Sequence, residues 1–158
     1  MSCTCHPSDS ICPDTGSGVV QVETKAQLMQ CFEIRRQVFI EEQNIPEAEE
    51  WDDKDLLAQH FLAFDLGVAV GTARAYGNGP EMRIGRIAVL PVARGTGLGR
   101  KLVEEALSYG AAGPFETAAL DAQLYALPFY TRLGFVAEGG DFDDGSGILH
   151  RRMTRPFP

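Results

Sequence analysis

A glycine-rich turn between an apolar strand pattern and an amphipathic helix constrains the fold of this chain more than any other feature. The strand pattern covers 82–90, the turn contains Gly95, Gly97 and Gly99, and apolar residues at helical spacing follow from Leu98. The first backbone N–H groups of a helix lack intrahelical partners, and the helix dipole is positive at that end. The sequence therefore predicts an anion site where the turn enters the helix.

The residues around this turn indicate a pyrophosphate more than an ordinary chain reversal. Arg94, Arg100 and Lys101 flank the three alternating glycines, which is more positive charge than a simple turn needs. The spacing is G-x-G-x-G, which differs from the G-x-G-x-x-G of dinucleotide folds, and no Gly-Lys-Ser/Thr follows, as a P-loop would require. Both of those common phosphate loops are therefore disfavoured.

Composition limits the remaining classes of protein. The chain has 158 residues, 44% hydrophobic content and a formal net charge of -8, as expected for one globular domain. The acidic balance argues against nucleic acid, because phosphate backbones are bound by displacing counterions with Lys and Arg. Apolar runs are too short to span a bilayer and the amino terminus does not resemble a signal peptide, so we expect a cytoplasmic protein without membrane contact.

The amino-terminal segment differs from the rest of the chain. Residues 1–18 are rich in Ser, Thr, Pro, Asp and Gly, and they predict a flexible leader before a single domain at 19–158. Cys3, Cys5, Cys12 and His6 offer an alternative reading as soft metal ligands, although their spacing fits no zinc motif. Cys31 lies in a helical pattern and is expected to be a buried structural thiol.

The hydrophobic pattern predicts one mixed sheet decorated by helices. Thr24 is a candidate helix cap for one or two helices that extend to Phe39. The acidic segment 41–55 has the composition of a loop, and the strand at 116–121 can lie parallel to the one at 82–90 after a helical crossover. The other strands are predicted at 19–22, 60–66, 68–76, after 134 and at 148–154, and the other helices at 98–110 and 122–133.

The motifs in this order resemble the GCN5-related N-acetyltransferase (GNAT) superfamily. Arg94, Gly97 and Gly99 match its loop pattern Q/R-x-x-G-x-G/A, and the resemblance extends from Val19 to Met153. It is strongest to small bacterial acetyltransferases similar to ElaA and YjcF, in the stretches 34–44, 119–123, 129–135 and 147–150. The resemblance implies an α/β (α+β) fold with a mostly antiparallel sheet, splayed at the cofactor strands and flanked by about four helices.

The resemblance also implies roles for particular residues. Acetyl-coenzyme A (acetyl-CoA) is the expected cosubstrate, with no metal, and Tyr130 is the expected general acid, although it could instead only position the cofactor. No general base stands out; His150 and His60 are candidates, with structural hydrogen bonding as the alternative for each. The expected cofactor-binding residues are Ile87, Ala88, Val89, Arg94, Gly95, Thr96, Gly97, Leu98, Gly99, Arg100 and Lys101. The candidates for binding the acceptor are Glu41, Gln43, Asp121 and Gln123.

Two functions are compatible with this sequence. The first is transfer of an acetyl group to a primary amine of a small molecule or peptide by direct attack in a ternary complex. The second is a catalytically silent acyl-CoA-binding regulatory module, and a homodimer is compatible with either. Charge is uneven, with eight acids and one base at 41–55 but six bases and one acid at 74–101. The basic stretch fits the cofactor phosphates, whereas the acidic one either attracts a cationic acceptor or only aids solubility.

Overall fold

Seven strands form one sheet with helices on both faces in the computed structural model, which describes residues 16–158. The strand order is β1-β2-β3-β4-β5-β7-β6, and only the β4–β5 pair is parallel. The strands are β1 (Gly18–Gln21), β2 (Gln59–Asp65), β3 (Val68–Asn78), β4 (Glu81–Val89), β5 (Thr117–Gln123), β6 (Val136–Asp143) and β7 (Leu149–Pro156). The expected mixed, mostly antiparallel sheet is confirmed.

The first helix changes its geometry along its length. Thr24 caps it as predicted, through a reciprocal capping box with Gln27. After α1 (Lys25–Arg35) the chain continues as a π-helix over Arg36–Glu42, a rare geometry that is often found at functional sites. The other helices are α2 (Glu47–Glu50), α3 (Leu98–Ala111) and α4 (Leu127–Arg132), with short 3-10 segments at Asp53–Leu56, Pro91–Ala93 and Leu124–Ala126.

Strands β4 and β5 separate soon after they begin to pair. Glu81–Arg83 align with Thr117–Ala119, and no pairing follows among the described residues. Further along β4, a bulge against β3 places Arg86 at φ 50°, in the left-handed region. A β-bulge redirects a side chain. Here the bulge interrupts, at Arg86, the regular alternation of side chains between the two faces of the sheet. The splay leaves one edge of β4 without a strand partner and opens a cleft.

The sheet is covered on both faces by apolar residues. Leu102, Val103 and Ala106 of α3 pack in one buried cluster, whereas Ile34 and Val38 of the first helix belong to a second cluster. Cys31 lies in the second cluster, where burial raises the pKa of its thiol to about 11. The prediction that Cys31 is buried is confirmed.

Two segments differ from the sequence-based expectation. The predicted helix at 122–133 begins later, because β5 continues to Gln123 and Pro128 lies in the first turn of α4. The acidic segment 41–55 is more ordered than a loop: it includes the end of the π-helix, α2 and the start of a 3-10 helix.

The structure describes only the end of the predicted amino-terminal leader. Most of the predicted leader, including Cys3, Cys5, Cys12 and His6, lies outside the described residues. At its end, Gly18 already belongs to β1, and Ser17 hydrogen-bonds Asp65 and the Leu66 amide. No helix within residues 16–158 is long and apolar enough to cross a membrane.

Candidate active site

A cavity of about 740 Å³ occupies the cleft between β4 and β5. The unpaired edge of β4 forms one wall, the start of α3 lies at one end, and the π-helix and α2 cover it from the opposite face of the sheet. Nine of the eleven predicted cofactor residues line it; Thr96 and Lys101 do not. The nine are Ile87, Ala88, Val89, Arg94, Gly95, Gly97, Leu98, Gly99 and Arg100.

The glycine loop has the geometry of an anion site. Gly97 is the residue before α3, at φ 85°, and no side chain caps the helix there. A Cβ atom added at Gly95 or Gly97 would meet no atom within 4 Å, so the backbone is open to a ligand. Helix α3 is long enough to carry a full dipole, and its first amides are free for an anion.

Tyr130 of α4 also lines the cavity and is 8% exposed. Its ring is held edge-on between Phe129 and Phe135. Its hydroxyl makes no hydrogen bond to any residue in 16–158. Burial raises the pKa of Tyr130, so the phenol stays protonated at neutral pH and remains a proton donor.

Of the two histidines in residues 16–158, His150 lines the cavity and His60 does not. Its Nδ1 lies 2.7 Å from the carbonyl oxygen of Ile148. A carbonyl oxygen only accepts, so Nδ1 carries the proton and Nε2 keeps its lone pair in the neutral ring. Asp144 Oδ2 lies 3.7 Å from Nε2, close enough to stabilise a positive charge on the ring. Burial pushes the pKa of Asp144 upward, but hydrogen bonds from Ser146 outweigh it and hold that pKa below its usual value.

Two of the predicted site residues lie elsewhere. His60 is buried outside the cavity, with Nε2 on the Asp55 carbonyl and its ring against Phe32. Burial lowers the pKa of His60, and the ring does not line the cavity, which argues against a role as the base. Glu41 is exposed and does not line the cavity, because the π-helix turns it away.

The other predicted acceptor residues do line the cavity. Gln43 directly follows the π-helix as its C-cap, and its side-chain oxygen accepts a 3.0 Å hydrogen bond from Gln123 at the end of β5. Asp121 pairs with Arg83 at 2.7 Å and so has less free charge for a ligand. The gap between the π-helix and β5 is therefore bridged by neutral amides.

Most acids of the 41–55 segment are neutralised from within the protein. Arg35 binds Glu50 at 2.8 Å and Asp55 at 2.7 Å, and the Arg35 side chain is 1% exposed. Arg74 binds Asp52 at 2.6 Å and Asp55 at 2.8 Å.

Arg86 reaches the same segment from the β4 bulge. It lies 3.1 Å from the Glu50 carboxylate and donates to the Glu49 and Glu50 carbonyls at the end of α2. The expectation that the whole basic stretch 74–101 serves cofactor phosphates is therefore wrong for Arg74 and Arg86, which hold the acidic segment in place.

Four acids outside the predicted site residues also line the cavity: Glu42, Glu49, Glu50 and Asp144. Asp144 could have been found from hairpin register, because Asp143 pairs with Leu149 across the turn and so places the next residue near His150. Of the neighbouring acids Glu41 and Glu42, only Glu42 lines the cavity, and the sequence could not separate them because the π-helix shifts the helical phase. Within residues 16–158, no group of three or more His, Cys, Asp or Glu side chains is arranged to hold a metal ion.

Comparison with known proteins agrees with this geometry. The model of the acetyltransferase (GNAT) family matches residues 28–135. The chain is 34% identical over 140 residues to YjcF of Bacillus subtilis, named as an N-acetyltransferase, covering 86% of this chain and 97% of that protein.

Solved structures show the same architecture. Escherichia coli ElaA superimposes with a TM-score of 0.78 at 25% identity, covering 89% of this chain and 99% of that one. An acyl-CoA N-acyltransferase from Pseudomonas aeruginosa gives a TM-score of 0.76 at 28% identity, covering 89% and 99%. The family model, the relative and the shared fold together show that this chain belongs to the GNAT family of N-acetyltransferases.

Proposed function

We propose that this protein transfers an acetyl group from acetyl-CoA to a primary amine by direct attack within a ternary complex. One observation carries the proposal: the unbonded, protonated hydroxyl of Tyr130 faces the cavity that also holds the glycine loop. Because this hydroxyl is accessible from the cavity and bonds no residue in 16–158, it is free to donate to a ligand there. The glycine loop and the proposed proton donor therefore line the same cavity.

The residues present fit acetyl-CoA, which the GNAT family generally uses. The open glycine loop and the start of α3 would hold its pyrophosphate. The edge of β4 at Ile87–Val89 faces the cavity and would hydrogen-bond the pantetheine arm as a missing strand would. When bound, acetyl-CoA supplies the acetyl thioester.

The side chains of this protein then manage two protons. Nε2 of His150 accepts the proton that the amine must lose, and Asp144 stabilises the charge gained by the ring. The Tyr130 hydroxyl donates its proton to the departing sulfur. The new C–N bond replaces the C–S bond, so the products are an amide and a free thiol.

The acceptor end of the cavity favours a cationic amine. Glu49 has no ion pair among residues 16–158, and its carboxylate lies against the turn between β6 and β7, 3.0 Å from where a Cβ on Gly145 would be. Asp144 belongs to that turn. Two carboxylates without arginine partners among residues 16–158 therefore line the cavity close to the same turn, unlike the paired acids of α2 and its flanks. Gln43 and Gln123 would orient the amine by hydrogen bonds.

A screen of amines tests the proposal. The protein is incubated with acetyl-CoA and polyamines, amino acids, aminoglycosides or peptides with free amino termini, and release of free coenzyme A is followed. We expect at least one amine to give saturable release above the rate of hydrolysis alone. Saturable binding of acetyl-CoA without acceptor-dependent release from any amine would instead favour the silent acyl-CoA-binding module.

A further inference from the structure

An ion pair closes over the entrance to the glycine loop. Arg94 binds the Glu42 carboxylate through both terminal nitrogens, at 2.7 Å and 2.8 Å, and its Nε donates to the Val89 carbonyl. The two side chains are 44% and 41% exposed. The cation nearest to the loop is therefore already engaged by a carboxylate of this chain.

This pair joins two parts of the molecule that lie on different sides of the cavity. Glu42 is the last residue of the π-helix, whereas Arg94 follows β4. The next residue, Gln43, bonds Gln123 at the end of β5. Two consecutive residues at the end of the π-helix therefore contact both sides of the cleft: Glu42 contacts the segment after β4, and Gln43 contacts the end of β5.

We propose that Glu42 competes with the phosphates of the cofactor for Arg94 and is displaced when the cofactor binds. The inference rests on the proposed function, because it needs a phosphate-bearing ligand in the glycine loop. Displacement frees a carboxylate beside Gln43. Binding of the cofactor therefore also changes the charge of the acceptor wall, the side of the cavity formed by the π-helix, α2 and the turn between β6 and β7. Glu42 thereby links the two halves of the site.

A phosphate can win this competition because the pair is half exposed. Exposed ion pairs are weak, since solvent and salt screen them. A pyrophosphate offers Arg94 a stronger bidentate partner and also gains the free amides of α3. The work of breaking the pair is subtracted from the cofactor's binding free energy, so Glu42 lowers the affinity.

Calorimetric titration with coenzyme A tests the inference. We expect Glu42→Gln to tighten binding by about two- to fivefold at low salt, the range that an exposed ion pair allows. Glu41→Gln is the matched control, because it removes the same charge from the neighbouring residue, which forms no ion pair among residues 16–158. It should change the affinity much less.

A double-mutant cycle separates the pair from general charge effects. In an Arg94→Gln background, the gain from Glu42→Gln should shrink to that of Glu41→Gln. Unchanged or weaker binding by Glu42→Gln, or the same gain without Arg94, would overturn the inference while leaving the proposed function intact. Failure of the unmodified protein to bind coenzyme A would instead overturn both.

Discussion

The two walls of the cavity are built in different ways. The cofactor wall comes from one continuous stretch, from β4 through the glycine loop into α3, and its main groups are backbone amides. The acceptor wall combines the π-helix and α2 with the turn between β6 and β7, and this turn is distant in sequence from the two helices. Arg35, Arg74 and Arg86 fasten α2 and its flanking acids to the helix and sheet.

Because of this difference, a sequence motif can reveal the cofactor wall but not the acceptor wall. A wall made of consecutive residues leaves a readable pattern of glycines and cations. A wall assembled by ion pairs leaves only clusters of charge, in which an acid that anchors the fold looks the same as one that faces a ligand. Glu49 and Glu50 are adjacent and both line the cavity, yet Glu50 is buried and paired with Arg35, whereas Glu49 is exposed and forms no ion pair among residues 16–158.

The largest expected effect is on the stability of the acceptor wall. We expect Glu50→Ala to lower the free energy of unfolding by about 3–5 kcal/mol, because it leaves the buried Arg35 guanidinium without one of its partners. Urea denaturation measures the loss. If the alanine variant does not fold, Glu50→Gln keeps the hydrogen-bonding shape and should still show a clear part of the loss.

Glu47→Ala is the control from the same short helix. Glu47 is exposed and pairs with Arg36 at the surface, where solvent screens the pair, so its loss should cost far less than the loss of Glu50. Equal effects of the two alanine substitutions would mean that the arginine cluster does not hold the segment.

The next effect concerns the cofactor wall. Gly97→Val should weaken coenzyme A binding by at least about tenfold, because a β-branched residue is strongly disfavoured at the φ of 85° found there. Gly79→Val is the control, because Gly79 in the turn between β3 and β4 also has a positive φ, 63°, but does not line the cavity. Calorimetry should separate the two variants, and similar affinities would contradict the assigned loop geometry.

The accuracy of the sequence-based expectations follows the same division. Helix α3, the parallel β5 and the lining positions from Ile87 to Arg100 follow from local pattern and from the motif. The predicted helix at 122–133 began too early because Ala122 and Gln123 suit a helix as well as a strand, whereas the start signal, Pro128, lies later. The roles of Arg74 and Arg86 were missed because an ion pair between residues 22 or 36 positions apart has no sequence period.

The smallest effect concerns the charge of the acceptor wall. Once an accepted amine is known, Glu49→Gln should raise its Michaelis constant a few-fold at low salt, and the effect should fade as salt screens the charge. Glu47→Gln removes the same charge from the same helix, but Glu47 is directed toward Arg36 and Trp51. Equal effects of the two variants would reduce the role of Glu49 to the general charge of the surface.

The central claim is that the cavity performs acetyl transfer with Tyr130 as the proton donor. Single-turnover release of coenzyme A, measured where chemistry limits the rate, tests it most directly. We predict that Tyr130→Phe slows release by about a hundredfold or more with little change in coenzyme A affinity. Tyr109→Phe, on a tyrosine that packs against Phe61 away from the cavity, should leave the rate unchanged. An unchanged rate for Tyr130→Phe would contradict the account.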